Sequence, residues 1–134
     1  MLFGKEHVER YEATGGEEGY HWEKGTTILL LHTTGRTSGT ERVHPLIYRD
    51  WEDAYLIVAS KGGAPDSPEW FKNIEANPSV EIQIKDEKFP VHARIATDEE
   101  KPAMWQHMAE VWPDYDDYQR KTDRPIPVVV LERT

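Results

Sequence analysis

Two neighbouring segments of this chain alternate between apolar and polar residues, and no other feature restricts the fold as strongly. Across residues 80–85, Val80, Ile82 and Ile84 point one way while Glu81, Gln83 and Lys85 point the other. Across residues 89–95, Phe89, Val91, Ala93 and Ile95 oppose Pro90, His92 and Arg94. Side chains change face at every residue only in an extended strand. Joined by the polar Asp86-Glu87-Lys88, the pair predicts an antiparallel hairpin with one face in the core and one in water.

Four more runs predict strands. Residues 26–33 (TTILLLHT) are apolar and β-branched without alternation, as expected of a strand covered on both faces. Residues 43–48 and 55–59 follow, with Arg49-Asp50-Trp51-Glu52-Asp53 read as a hairpin loop, and residues 126–131 (IPVVVL) make a sixth strand. Helical signals are fewer. Residues 3–13 predict a polar helix carrying Val8 and Tyr11, ended by the glycine-rich stretch 14–19. Ser67-Pro68-Glu69 predicts an N-cap with proline at the first helical position, opening a helix with Trp70, Phe71 and Ile74 that stops at Asn77-Pro78. Thr97-Asp98-Glu99-Glu100 is a capping box ahead of Met104, Trp105, Met108, Val111 and Trp112, with Pro102 predicting an irregular first turn. Residues 114–121 bring Tyr115 and Tyr118 onto one helical face. Six short-connected strands without repeated βα units predict an α+β fold. Its centre is a small, mostly antiparallel β-barrel with a few flanking helices. The barrel is expected over residues 25–134, behind a polar N-terminal extension over residues 1–24.

Composition narrows the chemistry. The 134 residues suit one domain, and the absence of cysteine removes disulfides, thiolate metal sites and cysteine nucleophiles. A net charge of −9 opposes nonspecific attraction to nucleic acid or anionic membranes. The six histidines are scattered singly and show no metal-binding spacing, so no metal is expected. Neither a Walker loop nor a G-x-S-x-G elbow is present. With no signal-like opening and no apolar run of spanning length, the expectation is a cytoplasmic protein without membrane insertion.

Three segments suit chemistry. Thr33-Thr34-Gly35-Arg36-Thr37-Ser38-Gly39-Thr40-Glu41-Arg42 combines glycines, hydroxyls and arginines, which together hold phosphate or carboxylate. The same composition also fits a polar hairpin turn. Ser60-Lys61-Gly62-Gly63-Ala64, between a strand and the next helix, either exposes backbone donors to an anion or polar ring edge or is a flexible connector. Trp70, Trp112, Tyr115 and Tyr118 supply flat surface for a core or for a cleft. An anion-tolerant loop beside an aromatic cleft suggests a cofactor that carries its own reactivity.

Read in order, these segments resemble the deazaflavin-dependent nitroreductase family. The resemblance runs through Leu29-Leu30-Leu31-His32-Thr33-Thr34-Gly35-Arg36-Thr37-Ser38-Gly39, Arg42 and Pro45-Leu46, then Val58-Ala59-Ser60-Lys61-Gly62-Gly63-Ala64. It continues through Pro68-Glu69-Trp70-Phe71-Lys72-Asn73-Ile74 and Ala76-Asn77-Pro78, then Trp112-Pro113-Asp114-Tyr115-Asp116-Asp117-Tyr118-Gln119 and Thr122-Asp123-Arg124-Pro125-Ile126-Pro127. It covers roughly residues 25–133 and implies a split β-barrel that binds coenzyme F420 and uses the reduced form as hydride donor. By that resemblance, Gly35, Arg36, Thr37, Ser38, Gly39, Arg42 and Pro45 hold the coenzyme, the arginines taking its phosphate and oligoglutamate tail. Ser60, Lys61, Gly62, Gly63 and Ala64 face the deazaflavin ring, supported by Trp70 and Asn73. Tyr118, Tyr115 and Ser60 are expected at the reacting atoms. Three positions depart from the pattern. Thr37 stands where a basic residue is common, Trp112 replaces a frequent tyrosine, and Ile47 sits where some members place an aromatic.

The expected reaction is hydride transfer to electron-poor acceptors: quinones, activated enones or unsaturated lactones, and nitroaromatics. The alternatives are an FMN-dependent split-barrel reductase, a non-catalytic carrier of the deazaflavin, and an interaction domain whose loop binds anions. The expected partners are a small-molecule acceptor and a second copy in a homodimer. Tyr20 and Trp22 are candidates for a lid over the site.

Overall fold

A computed structural model describes residues 2–134. Six strands, β1 (Thr27–Thr34), β2 (Glu41–Trp51), β3 (Ala54–Val58), β4 (Ser79–Ile84), β5 (Glu87–Ile95) and β6 (Val128–Arg133), close into a barrel in the order β1-β2-β3-β6-β5-β4. Every pairing is antiparallel. Four α-helices surround it: α1 (Gly4–Thr14), α2 (Glu69–Ala76), α3 (Lys101–Val111) and α4 (Asp114–Arg120).

The runs without alternation are strands with cover on both sides. In β1, Leu29 and Leu31 enter the barrel, while Ile28 and Leu30 lie beneath Val8 and Tyr11 of α1. In β6, Val129 and Leu131 point inward, and Val128 and Val130 pack under Met104 and Met108 of α3. The alternating β4–β5 hairpin contributes Val80, Ile82, Phe89, Val91 and Ala93 to the interior, and α2 closes one end with Trp70, Phe71 and Ile74. Ile95 departs from the pattern. It is exposed where β5 ends beyond the packed interior.

Tyr11 joins α1 to the barrel. Its hydroxyl donates to the Ile28 carbonyl at 3.0 Å and accepts from the Lys85 amide at 2.7 Å, across the seam between β1 and β4. The capping box forms in both directions. The Thr97 amide donates to Glu100 Oε1 at 2.9 Å and the Glu100 amide to Thr97 Oγ1 at 3.2 Å. As Pro102 predicts, regular helix begins only at Lys101.

Three local expectations are corrected. Residues 49–51 belong to β2, paired with Leu56, Tyr55 and Ala54, so the turn is only Glu52-Asp53, with Glu52 at φ +53°. Ser67 caps nothing; Pro68 precedes α2 in an extended conformation, and the helix starts at Glu69. The Gly-Gly segment does not run into a helix, because a tight turn at Lys61–Gly63 is followed by an extended connector before α2.

A gap in the barrel positions the site. β2 and β3 pair only as far as Arg49 and Leu56, although β2 reaches back to Glu41 and β3 on to Val58. Between these splayed strands the barrel is open.

Candidate functional site

The opening is the floor of a cleft of about 280 Å³. Pro45, Leu46 and Ile47 of the free β2 edge form one side, and Val58, Ser60 and Gly62 the other. Trp112, Tyr115 and Tyr118 rise from the α3–α4 corner, and Phe3, Gly4, His7 and Trp22 arrive from the N-terminal segment. The presence of Pro45 fits an unpaired edge, since proline has no ladder donor to lose.

The loop beside β3 is held in an uncommon shape. Lys61, Gly62 and Gly63 all have positive φ, at 48°, 63° and 85°. A Cβ on Gly63 would stand 2.5 Å from the Tyr118 carbonyl oxygen, so only glycine lets α4 lie against this turn. A Cβ on Gly62 would meet nothing, leaving a flat approach open from the cleft. Arg124 fixes the loop from behind. Its guanidinium donates to the carbonyls of Ala59 at 3.3 Å, Ser60 at 2.8 Å and Ala64 at 2.9 Å. Gln119 of α4 in turn holds the Arg124 segment, donating to the Arg124 carbonyl at 2.8 Å and accepting from the Ile126 amide at 2.9 Å. One network therefore sets both the loop and the helix that bears the tyrosines.

The aromatic wall is hydrogen-bonded internally. Trp112 Nε1 donates to the Tyr118 hydroxyl at 3.3 Å, and Trp22 and Trp112 lie 5.6 Å apart. Lys24 sits 4.7 Å over the Trp112 ring and pairs with Asp114 at 3.3 Å, latching the N-terminal segment to α4. Burial, with Tyr118 adding, pushes the Tyr115 hydroxyl well above the usual phenol range, so it stays protonated as a donor. Tyr20 pairs with the Tyr48 hydroxyl at 2.9 Å and does not line the cleft.

The hairpin loop 35–39 at the far end of β1 satisfies itself. The Gly35 amide donates to the Thr40 carbonyl at 2.8 Å and the Gly39 amide to the Gly35 carbonyl at 2.9 Å. The Arg36 guanidinium donates to Asn73 Oδ1 at 3.0 Å and Glu69 Oε1 at 3.0 Å, and Asn73 Nδ2 donates to Thr33 Oγ1 at 3.2 Å. Arg42, Thr37 and Ser38 are exposed nearby, with Lys72 half-buried. Burial and the adjacent Arg42 push His44 below the usual imidazole range, and its buried Nε2 has no partner among the described residues. Lys61 pairs with Asp66 at 3.4 Å.

The structure brings Pro45, Ser60, Gly62, Tyr115 and Tyr118 together at the cleft. Gly35, Arg36, Thr37, Ser38, Gly39, Arg42 and Asn73 form a separate basic rim. Lys61, Gly63 and Ala64 shape the turn between these regions. Trp70 does not line the cleft; it is buried in the barrel core against Phe71. Sequence reasoning missed the supporting role of Arg124 and the placement of Phe3 and His7. A charged residue inside the proline-flanked run Asp123-Arg124-Pro125 is the signal that marks the former. Nothing local marks the latter, because helix docking decides it.

These residues fit a planar ring with an anionic tail: an open slot flanked by Gly62, a fixed turn of backbone donors, and a basic loop nearby. Among the described residues no helix is long and apolar enough to cross a membrane. Comparison with known proteins agrees with the geometry. An F420H2-dependent quinone reductase of Mycobacterium tuberculosis is 44% identical over 130 residues, covering 95% of this chain and 87% of its own. A solved F420-H2 dependent reductase superposes with a TM-score of 0.72 at 43% identity, covering 78% of this chain and 93% of its own. A further structure, described as a domain-swapped dimer, gives 0.76 at 38% identity, covering 95% and 92%. The family model for F420H2-dependent quinone reductases matches residues 3–133, and the chain belongs to that family.

Proposed function

We propose that this deazaflavin-dependent oxidoreductase reduces quinones inside the cleft between β2 and β3. The observation that carries the reading is the slot itself, flanked by the Ser60–Gly62 turn and walled by Trp22, Trp112 and Tyr118. When bound, the reduced coenzyme supplies a hydride from a ring carbon. The backbone donors of residues 60–62 orient the ring, the Gly63 amide being spent on the Ser60 carbonyl, and Arg36 and Arg42 take the anionic tail once Arg36 exchanges Glu69 for it. Aromatic walls exclude water and stack a flat acceptor over the ring. Tyr118, whose oxygen already accepts from Trp112, keeps its own proton free for an acceptor oxygen. Tyr115 is the second donor. Activated enones, unsaturated lactones and nitroaromatics share the electron-poor π system and extend the proposal beyond quinones. A homodimer is part of the same reading, supported by the domain-swapped dimer among related structures, and light scattering on the eluting protein tests it.

The test is anaerobic stopped-flow spectroscopy with reduced deazaflavin and menadione. Repeated turnover with the deazaflavin, and none with reduced FMN, supports the reading. Tight coenzyme binding without oxidation by any acceptor would make the protein a carrier.

A further inference from the structure

His7 is almost completely enclosed, at 2% exposure, yet it lines the cleft. Its Nε2 lies 2.8 Å from the Gly19 carbonyl, which can only accept, so Nε2 carries the proton. The approach is built for this bond. A Cβ on Gly19 would come within 2.9 Å of the imidazole, and Gly19 has φ +100°, where side chains are strained. The other ring nitrogen, Nδ1, has no partner among the described residues and in the neutral ring is a bare acceptor. The two indole N–H groups of the cleft are already spent, Trp22 on the Leu2 carbonyl at 3.0 Å and Trp112 on Tyr118. The remaining polar side chains at the wall are the hydroxyls of Ser60, Tyr115 and Tyr118 and the His7 imidazole.

We infer that His7 is a further residue of the acceptor site, its Nδ1 meeting a quinone oxygen that becomes a hydroxyl on reduction. The inference rests on reading the cleft as a quinone site. Reduction adds a hydride from the coenzyme and a proton from solvent, converting the two C=O groups of the quinone into two C–OH groups. Each oxygen thereby changes from pure acceptor to donor. Tyr118, a donor, serves the carbonyl of the oxidised ring. His7 Nδ1, an acceptor, serves the hydroxyl as it forms, and so binds the reaction's later stages better than its start. A cleft walled by aromatic rings alone would not distinguish a quinone from any flat hydrocarbon. One donor and one acceptor lining the same cleft select a ring whose oxygens change character during the reaction.

Two substitutions separate this role from a structural one. His7→Asn places its amide where Nδ1 stands and abandons Gly19; His7→Gln reaches Gly19 and abandons the Nδ1 position. With reduced deazaflavin and menadione, the Gln variant should lose about 10- to 100-fold in kcat/KM. Its melting temperature and coenzyme affinity should remain those of wild type. The Asn variant should stay within about threefold of wild type in kcat/KM. Full activity in the Gln variant, or equal losses in both, would overturn the inference and leave His7 a strut for the residue 15–19 loop. Wild-type protein that binds the deazaflavin yet passes no hydride to menadione would instead end the reading of the cleft on which the inference depends.

Discussion

Gly63 and Tyr118 pack so closely that a single added methyl would stand 2.5 Å from the Tyr118 carbonyl oxygen. The contact sets how deeply α4 sits against the Lys61–Gly63 turn, and hence where the tyrosine hydroxyls end. Gly63→Ala adds both a clash and a residue at φ +85°. Overpacking and left-handed backbone together should destabilise the protein by about 2–4 kcal/mol. Calorimetry would show this as a fall in Tm on the order of 10 °C. Gly62→Ala is the counterpart, because its Cβ meets no protein atom. It should cost only about 1 kcal/mol while filling the slot, so that coenzyme affinity falls far more than Tm. Equal Tm values for the two variants would show that the α4 contact yields freely.

Arg124 donates to three backbone carbonyls of one loop, a geometry a lysine ammonium cannot reproduce. Arg124→Lys should lower stability by about 1.5–3 kcal/mol, through loss of charge-assisted bonds to carbonyls left facing inward. It should also raise the coenzyme Kd, since the turn loses its fixed shape. Titration of deazaflavin fluorescence together with urea unfolding checks both effects. A stable variant with unchanged Kd would mean that Gln119 and the turn's own backbone suffice.

Arg36 is held by Glu69, which also pairs with Lys72 at 3.2 Å. These contacts keep the Glu69 carboxyl below the usual range, Arg36 first and Lys72 second. Glu69→Gln therefore loosens the guanidinium, which keeps its bond to Asn73, and removes a charge that repels an anionic tail. Coenzyme affinity should rise by up to about fivefold at low ionic strength, the scale of an exposed ion pair. The gain should vanish in molar salt. Arg36→Ala should weaken binding under the same conditions. Tighter binding in both variants would place the tail elsewhere.

Burial, partly opposed by the Lys85 amide, pushes the Tyr11 hydroxyl up to about 12. The folded state thus holds this proton more tightly than the unfolded chain, whose phenol titrates near 10. Above pH 10 the unfolded state carries fewer protons, so stability present below that pH should decline as pH rises towards 12. Tyr11→Phe should remove part of that decline while costing about 1–3 kcal/mol at neutral pH, because the Ile28 carbonyl and Lys85 amide lose their partner. Chemical unfolding at pH 8, 10 and 11 separates the two contributions.

The barrel was legible because its strands report burial directly. Leu29 and Leu31 needed an interior and Ile28 and Leu30 needed a cover, which made residues 26–33 an unbroken apolar run. Thr97 and Glu100 advertised their reciprocal bonds by spacing alone. The ends of β2 were hidden because Glu41, Arg42 and Asp50 are exposed there and carry no apolar signal. Trp70 reads equally well as cleft wall or core, and only the way α2 closes the barrel places it inside. Likewise, nothing in the local sequence of residues 3–7 indicates that Phe3, Gly4 and His7 line the same cleft as Tyr118. That depends on Tyr11 anchoring α1 some 17 residues from Ile28 along the chain.

The splayed edge of β2 also bears on how the protein behaves in a crowded solution. Every strand has a neighbour on each side in the ring, but β2 runs unpaired on its β3 side from Glu41 to Tyr48. An extended peptide or a misfolded copy seeking to add a strand to β2 would have to do so here. There Pro45 offers no N–H, and Trp22 and Trp112 stand over the gap. An opening wide enough for a flat ring is closed to a polypeptide, so the residues that shape the cleft also guard this edge against aggregation.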